Sequence, residues 1–448
     1  MSEEQKPDKI KILAWGDYCC STGFGTVMSN IMMQLQATGR YEIDVIGINY
    51  SGDPYDTERW PGRVYPAMPG LMSQGSIYSD VYGRQRLLDQ AGAGDYDVIF
   101  MLQDTFILQT IMEPLVETQK ALQKVPGKKS FTTVYYFPID ATPKPDWATG
   151  VVDKVDFPVA YTHYGRDAVK EFIPAKEIEV LYHGTNLKDF HPIEDEEVVR
   201  LFRKKYFNGL ADDRPLMVNV NRNQPRKDIA RSLMVLAEIK KRGYNPLLYM
   251  HMQHSDIGGN IHVMAQQLGL KNEEDFVCPH PNTFTANQGL KIDAVNMIYN
   301  AADMLLTTTL GEGWGLSVTE AMATKTPVIA PNNTSLTEML ADNRGMLVPS
   351  GNNPSMFVTK ENDMERIRPV MDVEGAADAY EKIVNGEGPD LEGAFKFAQA
   401  FNWNYLGQEW VKIVDRAAAQ SQVTNAKNEF ARPMNRAERR KAKRKNRK

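Results

Sequence analysis

The chain has 448 residues, of which 42% are hydrophobic and 24% are charged. This composition is ordinary for a globular enzyme, and at roughly 100–200 residues per domain the length predicts two domains. No run approaches the ~18 consecutive apolar residues of a membrane helix, and the polar start MSEEQKPDK predicts no signal peptide. Cys19, Cys20 and Cys278 form no even disulfide framework, so a reducing cytoplasm is expected.

Short apolar runs alternate with helical spacing through the first part of the chain. Strands are predicted at 9–14 and 42–48, and the helix between them, at 26–39, stops at Gly39. A strand, a helix and a second strand form a βαβ unit, which implies a parallel sheet. Further strands are predicted at 96–102, 131–137, 157–162 and 178–182. These elements predict one doubly wound domain over residues 9–183.

A second series predicts another Rossmann-like domain, over residues 184–398. It contains a helix around 228–242 and strands at 215–220, 246–252, 275–278, 303–308, 326–330 and 345–348. Ligands of open parallel sheets bind outside the carboxyl ends of the strands. The predicted fold class is therefore α/β, with two Rossmann-like doubly wound domains that face each other across a cleft.

Three stretches have no regular periodicity. Residues 51–86 are rich in Gly, Pro, Tyr and Arg, and residues 349–368 are typical of a surface insertion. Residues 420–448 are polar and then basic, a composition that predicts disorder.

The strongest chemical signal is the segment from Gly311 to Ala323, GEGWGLSVTEAMA. Its glycine-rich loop follows an apolar strand and opens into a helix. Glycine lets backbone amides approach a ligand closely, and a helix N-terminus favours phosphate. The two carboxylates, Glu312 and Glu320, can accept hydrogen bonds from sugar or ribose hydroxyls. The alternative is an ordinary turn between strand and helix, with solvated glutamates.

This segment closely resembles the E-x7-E signature of the retaining GT-B glycosyltransferases of the group 1 family (GT4), and TPVIA at 326–330 continues the signature. The resemblance implies the GT-B fold, a nucleotide-sugar donor, and transfer with retention of configuration. It also implies that Glu312 lies by the donor sugar and that Glu320 binds the donor ribose. The predicted donor site further includes Gly313, Trp314, Gly315 and Leu316.

The loop NVNRNQPRKD at 219–228 resembles the basic loop of the same family. The resemblance implies that Arg222 and Lys227 grip the donor diphosphate. The chemistry agrees, because a leaving nucleoside diphosphate develops charge that fixed cations stabilise. Taken alone, such a loop is more often a solvated turn.

Other segments follow the order of the family. The segment 400–415 resembles its C-terminal helix, so residues 399–419 are assigned to a helix that crosses back to the first domain. Gly23 and Gly25 follow the first strand, where the family places a glycine loop against the donor phosphates. A lone G-x-G fits an ordinary turn equally well.

The chain departs from the family at two places. Many relatives have a histidine after the strand at 131–137, and here Asp140 stands in that region. Asp140 is a candidate hydrogen-bond acceptor for the incoming hydroxyl, or else an ordinary turn residue. Relatives also carry Gly-Gly-x-x-Glu after PVIA. The segment 333–338 keeps Glu338 without the glycines, so side chains must be accommodated there.

No metal site and no cofactor are expected. The literal D-x-D at 95–97 leads straight into an apolar strand, and the histidines at 251–262 have no clustered acidic or cysteine ligand. The expected donor is a nucleotide sugar, with a UDP-sugar favoured over a GDP-sugar.

The end of the chain is strongly basic. Residues 432–448, from Arg432 to Lys448, hold ten Lys/Arg and one Glu, and the rest of the chain has 42 basic and 56 acidic residues. Such a tail suits sequence-independent phosphate contacts, although a solubilising end is an equal alternative. Its segment 434–440 resembles the basic ends common on bacteriophage proteins, and phages use glycosyltransferases to decorate 5-hydroxymethylpyrimidines in DNA.

The sequence therefore predicts a glycosyltransferase that acts on 5-hydroxymethylpyrimidine in phage DNA, in the host cytoplasm. One alternative is a transferase whose acceptor is a surface glycan, a lipid or a protein. A second is a catalytically inactive GT-B protein that binds nucleic acid, and a third is a GT-B epimerase.

Overall fold

The computed structural model describes residues 9–67, 80–125, 127–280 and 289–430. The strands of the first half are β1 (Ile10–Asp17), β2 (Tyr41–Ile48), β3 (Arg63–Pro66), β4 (Val98–Leu102), β5 (Thr132–Phe137), β6 (Phe157–Ala160) and β7 (Glu179–Val180). They form a parallel seven-stranded sheet in the order β3-β2-β1-β4-β5-β6-β7.

The strands of the second half are β8 (Leu216–Val220), β9 (Leu247–His251), β10 (Ser255–Asp256), β11 (Gly259–Asn260), β12 (Phe276–Val277), β13 (Met304–Leu306), β14 (Val328–Pro331), β15 (Met346–Val348), β16 (Phe357–Thr359) and β17 (Ile367–Pro369). Six of them form a parallel sheet in the order β12-β9-β8-β13-β14-β15. The other four pair as two short antiparallel hairpins, β10-β11 and β16-β17.

Fifteen α-helices lie within the described residues: α1 (Gly23–Ala37), α2 (Arg84–Gly92), α3 (Thr105–Leu108), α4 (Met112–Leu122), α5 (Pro145–Gly150), α6 (His163–Lys170), α7 (Glu196–Tyr206), α8 (Ile229–Lys241), α9 (Ile261–Gln267), α10 (Ile292–Ala301), α11 (Leu316–Ala323), α12 (Leu336–Met339), α13 (Val373–Val384), α14 (Leu391–Ala400) and α15 (Trp403–Phe430). Short 3₁₀ turns occur at Val152–Lys154, Pro225–Lys227 and Pro354–Met356.

The predicted α/β class and its two Rossmann-like domains are confirmed. Each predicted strand has a counterpart in the structure. Central strands such as β4 and β5 are buried along their whole length. A parallel sheet covered on both faces requires continuous apolar runs, and such runs are visible in a sequence.

Two segments contain structure that the periodicity did not predict. The irregular segment 51–86 contributes β3, which pairs with β2 at the edge of the first sheet, and the start of α2. The segment 349–368 forms most of the β16-β17 hairpin instead of a simple surface insertion. Short edge strands with mixed polar residues bury little apolar surface, so they leave no periodic pattern.

The long helix α15 returns to the first domain. Trp410 is fully buried, and its ring lies 5.3 Å from that of Phe100 and 4.6 Å from that of Tyr136. The helix continues past residue 419, where disorder was predicted, because its polar side chains bond to the first domain. Ser421 Oγ donates to the Ser130 carbonyl at 2.7 Å, and the Asn425 side chain bonds to both backbone groups of Ser130. The basic tail from Arg432 to Lys448 lies outside the described residues.

The carboxyl ends of both sheets meet at one cleft. Asp140 follows β5 in the first domain, and Arg226 lies in the loop after β8 in the second domain. Their side chains form an ion pair at 3.2 Å. The topology of the two sheets therefore brings their chemically active loops together.

Candidate functional site

Glu312 lies at the centre of the cleft, in the loop between β13 and α11. Its side chain is 9% exposed and forms ion pairs with Lys227 and, at 3.0 Å, with Arg226. Gly311 precedes it with φ +154°, and a Cβ there would overlap the carbonyl oxygen of Asp140. Only glycine lets this loop approach the first domain so closely.

The Glu312 carboxylate is held in its ionised form. Burial raises its pKa, but the charges of Lys227 and Arg226 outweigh burial, and the pKa falls to about 2. Burial also lowers the pKa of the Lys227 ammonium, and the charge of Glu312 opposes this effect. The site is therefore a compact group of mutually compensating charges in a largely water-excluded place.

The basic loop after β8 directs two of its cations toward Glu312. Lys227, which the resemblance assigned to the donor diphosphate, contacts Glu312 at the end of the Pro225–Lys227 turn. The Arg222 side chain is 56% exposed and pairs with Asp256 at 2.8 Å, away from Glu312. Arg226 instead binds Glu312. Sequence reasoning missed Arg226, although the adjacent basic pair in the PRK segment was a visible signal.

Asp140 is engaged by three arginines of the second domain. Its carboxylate pairs with Arg226 at 3.2 Å, with Arg366 at 2.7 Å and with Arg368 at 3.4 Å. Burial raises the pKa of this carboxyl, but the three guanidinium groups outweigh it and the net pKa is lowered. The predicted acceptor-facing residue thus serves, in this substrate-free structure, as an anchor between the domains.

A second aspartate, Asp104, lies beside Asp140 and was missed by sequence reasoning. It follows β4 and lines a small cleft together with Phe106, Trp147 and Arg366. Burial raises the pKa of Asp104, the negative charge of Asp140 adds to this, and the pKa reaches about 7. Its signal was positional, because β4 neighbours β5 and an aspartate follows each of the two strands at the cleft edge.

The glycine loop of the first domain faces the second domain. Thr22 caps α1 by accepting a hydrogen bond from the Gly25 amide at 3.0 Å, and its hydroxyl donates to Asp17 at 2.7 Å. A Cβ on Gly23 would lie 3.4 Å from Leu316, the first residue of α11. The N-termini of α1 and α11 therefore meet across the cleft, and helix N-termini attract anions.

The residues after Glu312 pack against the first domain. A Cβ on Gly313 would crowd Pro138, and the ring of Trp314 lies 4.9 Å from that of Tyr182. Gly315 has φ +117° and is the N-cap residue of α11. Trp314 is 3% exposed, and within the described part of the chain its Nε1 has no hydrogen-bond partner. The indole N–H is thus a donor without a partner beside the site.

Glu320, the second glutamate of the motif, is held apart from Glu312. The hydroxyl of Tyr299 donates to its carboxylate at 2.7 Å. Burial raises the pKa of Glu320 to about 7, the Tyr299 hydrogen bond opposes this rise and the charge of Asp189 adds to it. A carboxyl that is half ionised near neutral pH can both donate and accept hydrogen bonds.

The segment 333–338 shows how the missing glycines are accommodated. Thr334 has φ +48°, and its hydroxyl accepts a hydrogen bond from the Glu312 amide at 2.9 Å. The Ser335 hydroxyl donates to the carbonyls of Glu312 and Trp314. Side-chain hydroxyls therefore hold the Glu312 loop in this segment.

Glu338 joins the second domain to the first. Its carboxylate accepts hydrogen bonds from the amides of His163 and Tyr164, at the start of α6, at 3.1 and 2.5 Å. The Tyr182 hydroxyl donates to it at 2.8 Å. A carboxylate at a helix N-terminus is a favourable contact, so Glu338 stabilises the closed cleft.

The D-x-D segment lies apart from the Glu312 site. Asp97, of the D-x-D segment, accepts from the Lys11 amide at 2.9 Å and pairs with Lys129, at the amino ends of the strands. Across the described ranges no three His, Cys, Asp or Glu side chains cluster as metal ligands. No helix within those ranges is long and apolar enough to cross a bilayer.

Comparison with known proteins agrees with this geometry. Residues 202–372 match the profile of the family described as Glycosyl transferases group 1, and they contain the basic loop, the Glu312 loop and α11. This part of the second domain is therefore similar to group 1 glycosyltransferases.

A curated relative matches about half of the chain. The chain is 26% identical over 219 residues to D-inositol 3-phosphate glycosyltransferase 2 of Catenulispora acidiphila, a match that covers 47% of this chain and 45% of that protein. The chain thus spans about half the length of the curated relatives it matches.

Two solved structures share the fold. Sucrose-phosphate synthase from Thermosynechococcus elongatus superposes with a TM-score of 0.66 at 16% identity, over 92% of this chain and 100% of that one. The HepE protein of Anabaena, solved with UDP and glucose, gives 0.61 at 14% identity, over 91% and 100%. These likenesses establish the GT-B fold for the two domains.

Proposed function

We propose that this chain is a metal-independent, retaining glycosyltransferase that moves a sugar from a nucleotide-sugar donor to an acceptor hydroxyl. The observation that carries the proposal is the Glu312 centre. There, a buried ionised carboxylate is held by Arg226 and Lys227 beside the facing N-termini of α1 and α11. Cations and helix N-termini around this carboxylate suit the binding of a nucleoside diphosphate, which is the leaving group when the sugar is transferred.

The donor diphosphate is proposed to lie between the two helix N-termini. In the absence of substrate, Arg226 and Lys227 pair with Glu312. A bound diphosphate offers them a second anion, and charge-assisted hydrogen bonds to phosphate stabilise it as it leaves. These two side chains perform the charge neutralisation that a metal ion provides in other transferases. The family resemblance implied Arg222 for this role. Because its side chain pairs with Asp256, we propose Arg226 in its place, and Arg222 stays the alternative that a comparison of the two variants decides.

The nucleoside half of the donor is proposed to bind along α11. Glu320 offers its carboxyl to the ribose hydroxyls, with the Tyr299 hydroxyl as a fixed neighbour. UDP remains the favoured nucleotide, which agrees with the UDP and glucose found in HepE, a protein of the same fold.

The reaction is proposed to proceed on one face of the sugar. The bond between the anomeric carbon and the diphosphate oxygen breaks, and the acceptor oxygen forms a new bond on the same face. The acceptor proton passes to the departing phosphate. Asp104, beside the small cleft with Trp147 and Phe106, is positioned to accept a hydrogen bond from the acceptor. The closed domains exclude water, which limits hydrolysis of the donor.

The acceptor proposal rests on the basic tail. Ten Lys/Arg between residues 432 and 448 suit a nucleic acid, and a 5-hydroxymethylpyrimidine of phage DNA supplies a primary hydroxyl. Because α15 reaches Ser130, at the amino end of β5, the helix that precedes this segment lies on the side of the first sheet opposite to the cleft. We therefore propose that the tail tethers the polymer and that the cleft receives only the modified base.

A phosphorylated polyol is the second candidate acceptor. The relatives are named for inositol 3-phosphate, and Arg366 adds a cation to the wall of the acceptor cleft. The two candidates differ in whether the acceptor is part of a polymer.

The test is a transfer assay with a panel of UDP- and GDP-sugars. Each donor is offered with DNA that contains 5-hydroxymethylcytosine or 5-hydroxymethyluracil, and separately with sugar and inositol phosphates, and products are weighed by mass spectrometry. A sugar mass on the modified base supports the DNA proposal, and the same mass on a small phosphate supports the second candidate.

Donor hydrolysis without transfer directs the search to glycans, lipids or proteins. Absence of any donor turnover favours the inactive nucleic-acid-binding alternative, and donor isomerisation favours an epimerase.

A further inference from the structure

The β16-β17 hairpin presents two arginines to the first domain. Arg366 and Arg368 lie two residues apart near and within β17, so strand alternation places them on the same face. Ile367 between them points the other way and is 65% exposed. The arginine face contacts Asp140, which belongs to the loop after β5 of the opposite domain.

Arg368 is a buried charge whose partners come from both domains. Its side chain has no exposed surface. Its Nε donates to Asp363 at 2.5 Å, and its Nη1 donates to the backbone carbonyl of Asp140 at 2.7 Å. A buried guanidinium is tolerated only where its donors are satisfied. Asp363 lies in the same hairpin, whereas Asp140 lies in the first domain. Arg368 therefore donates to both partners only when the domains are closed.

Asp140 connects these two arginines to the catalytic centre. The Arg226 guanidinium is held by two carboxylates, Asp140 in the first domain at 3.2 Å and Glu312 in the second domain at 3.0 Å. An opening of the cleft removes Asp140 and leaves Arg226 with partners from the second domain, the Glu312 carboxylate and the Gly311 carbonyl. The orientation of Arg226 therefore depends on the position of Asp140.

We propose that Arg366 and Arg368 act as positioning residues and form an interdomain latch, by which we mean the two side chains that hold Asp140. By fixing Asp140 they orient Arg226 at Glu312, so that the reacting geometry exists only in the closed state. This inference rests on the proposed function, because it assigns Arg226 to the leaving diphosphate. The latch itself is a property of the substrate-free protein. It acts through Asp140, and neither hairpin arginine needs to touch the donor.

The kinetic test compares Arg368→Met with a matched control, Lys144→Met. Lys144 pairs with Glu365 of the same hairpin loop and is not bonded to Asp140, so its loss removes a contact between the domains without disturbing Arg226. Arg368→Met is expected to lower kcat about 30-fold while the donor KM changes less than about threefold, because positioning is lost and ground-state binding is kept. Lys144→Met is expected to keep both within about twofold.

A double variant separates positioning from general stability. Asp140→Asn is expected to lower kcat by a similar factor, and Arg368→Met added to it is expected to lower kcat less than about twofold further, because both act through one anchor. Two outcomes overturn the latch. Either the losses in kcat multiply in the double variant, or the kcat of Arg368→Met stays within twofold of that of the unmodified protein. Arg366→Met serves in place of Arg368→Met where removal of the buried arginine unfolds the second domain.

Amide hydrogen exchange of the substrate-free protein provides a readout that needs no turnover. Arg368→Met and Arg366→Met are each expected to speed exchange about tenfold in residues 138–147 and 357–369, with exchange in β8 and β13 unchanged. Unchanged exchange at 138–147 overturns the latch. If the unmodified protein turns over no donor, the proposed function fails, and the exchange result still decides the latch.

Discussion

At the scale of single residues, the cleft shows how four carboxylates of one site differ in ionisation. Lys227 and Arg226 hold the pKa of Glu312 at about 2, and three arginines lower the pKa of Asp140. Burial raises the pKa of Asp104 and of Glu320 to about 7. The two low pKa values belong to groups with direct cationic partners, and the two raised values belong to groups without one.

Asp104 allows a test of this electrostatic balance. Its pKa is raised from an ordinary value near 4, so the folded protein binds the proton more tightly than the unfolded chain. The resulting destabilisation is absent below about pH 4, grows as pH rises, and is complete above about pH 7. Asp104→Asn removes it, and we expect Tm to rise by about 3 °C at about pH 8 and to stay unchanged at about pH 4. Thermal unfolding of both proteins at the two pH values measures this, and an equal effect at both pH values contradicts the assignment.

The sequence identified some residues of the site and missed others for a physical reason. Glu312 and Lys227 were predicted, because their roles follow from a short local motif. Arg226 and Asp104 were not, because their importance comes from contacts between distant loops. Local spacing cannot show that Arg226, rather than Arg222, turns toward the buried glutamate.

At the scale of elements, the interdomain connection depends on a close contact between Gly184 and α15. A Cβ on Gly184 would overlap the ring of Trp403, the first residue of that helix, and the next amide, of Thr185, donates to Phe401 at 2.7 Å. The backbone and the indole are thus packed directly against each other where the chain leaves the first domain.

Gly184→Ala is therefore expected to destabilise the protein by about 1–3 kcal/mol, because the added methyl group must displace a packed ring. Gly150→Ala is the matched control, since a Cβ there has open space. Denaturant unfolding of both variants, followed by tryptophan fluorescence, measures the difference. Equal midpoints for the two variants would show that the contact with Trp403 is readily relieved.

The predictability of an element follows from how it is stabilised. Buried strands such as β4 and β5 were predicted because burial on both faces demands a continuous apolar run. The β16-β17 hairpin was not predicted, because its short strands leave no apolar pattern, and the ion pairs of Arg366 and Arg368 with Asp140 that join it to the first domain are distant in the chain. The end of α15 was assigned to disorder from its polar composition, and the hydrogen bonds to Ser130 that order it are not visible in local sequence.

At the scale of the whole molecule, the closed cleft leaves several buried polar atoms without partners. Within the described residues, Trp314 Nε1, Tyr161 Oη and Trp410 Nε1 have no hydrogen-bond partner. They belong to one aromatic group at the domain boundary, in which Tyr136, Tyr161 and His183 also pack together. Unpaired buried donors cost free energy.

The architecture as a whole was predictable, including two domains that face each other across a cleft, and the side chains that join the domains were not. The two series of strands depend on local patterns, and the glycine-rich loop carries the resemblance that implied the GT-B fold. The side chains that close the cleft, Glu338 and Asp140, depend on how the two domains meet. That arrangement arises from packing across the whole chain.

The measurement that tests the account most directly is the release of nucleoside diphosphate by Arg226→Met and by Arg222→Ala, each compared with the unmodified enzyme. Both variants lose one arginine of the same loop, and only Arg226 contacts Glu312 and Asp140. The account predicts that Arg226→Met lowers kcat about 100-fold or more, because a cation is lost where charge develops, and that Arg222→Ala stays within about threefold. The reverse order, with Arg222→Ala severely impaired and Arg226→Met nearly unaffected, would contradict it.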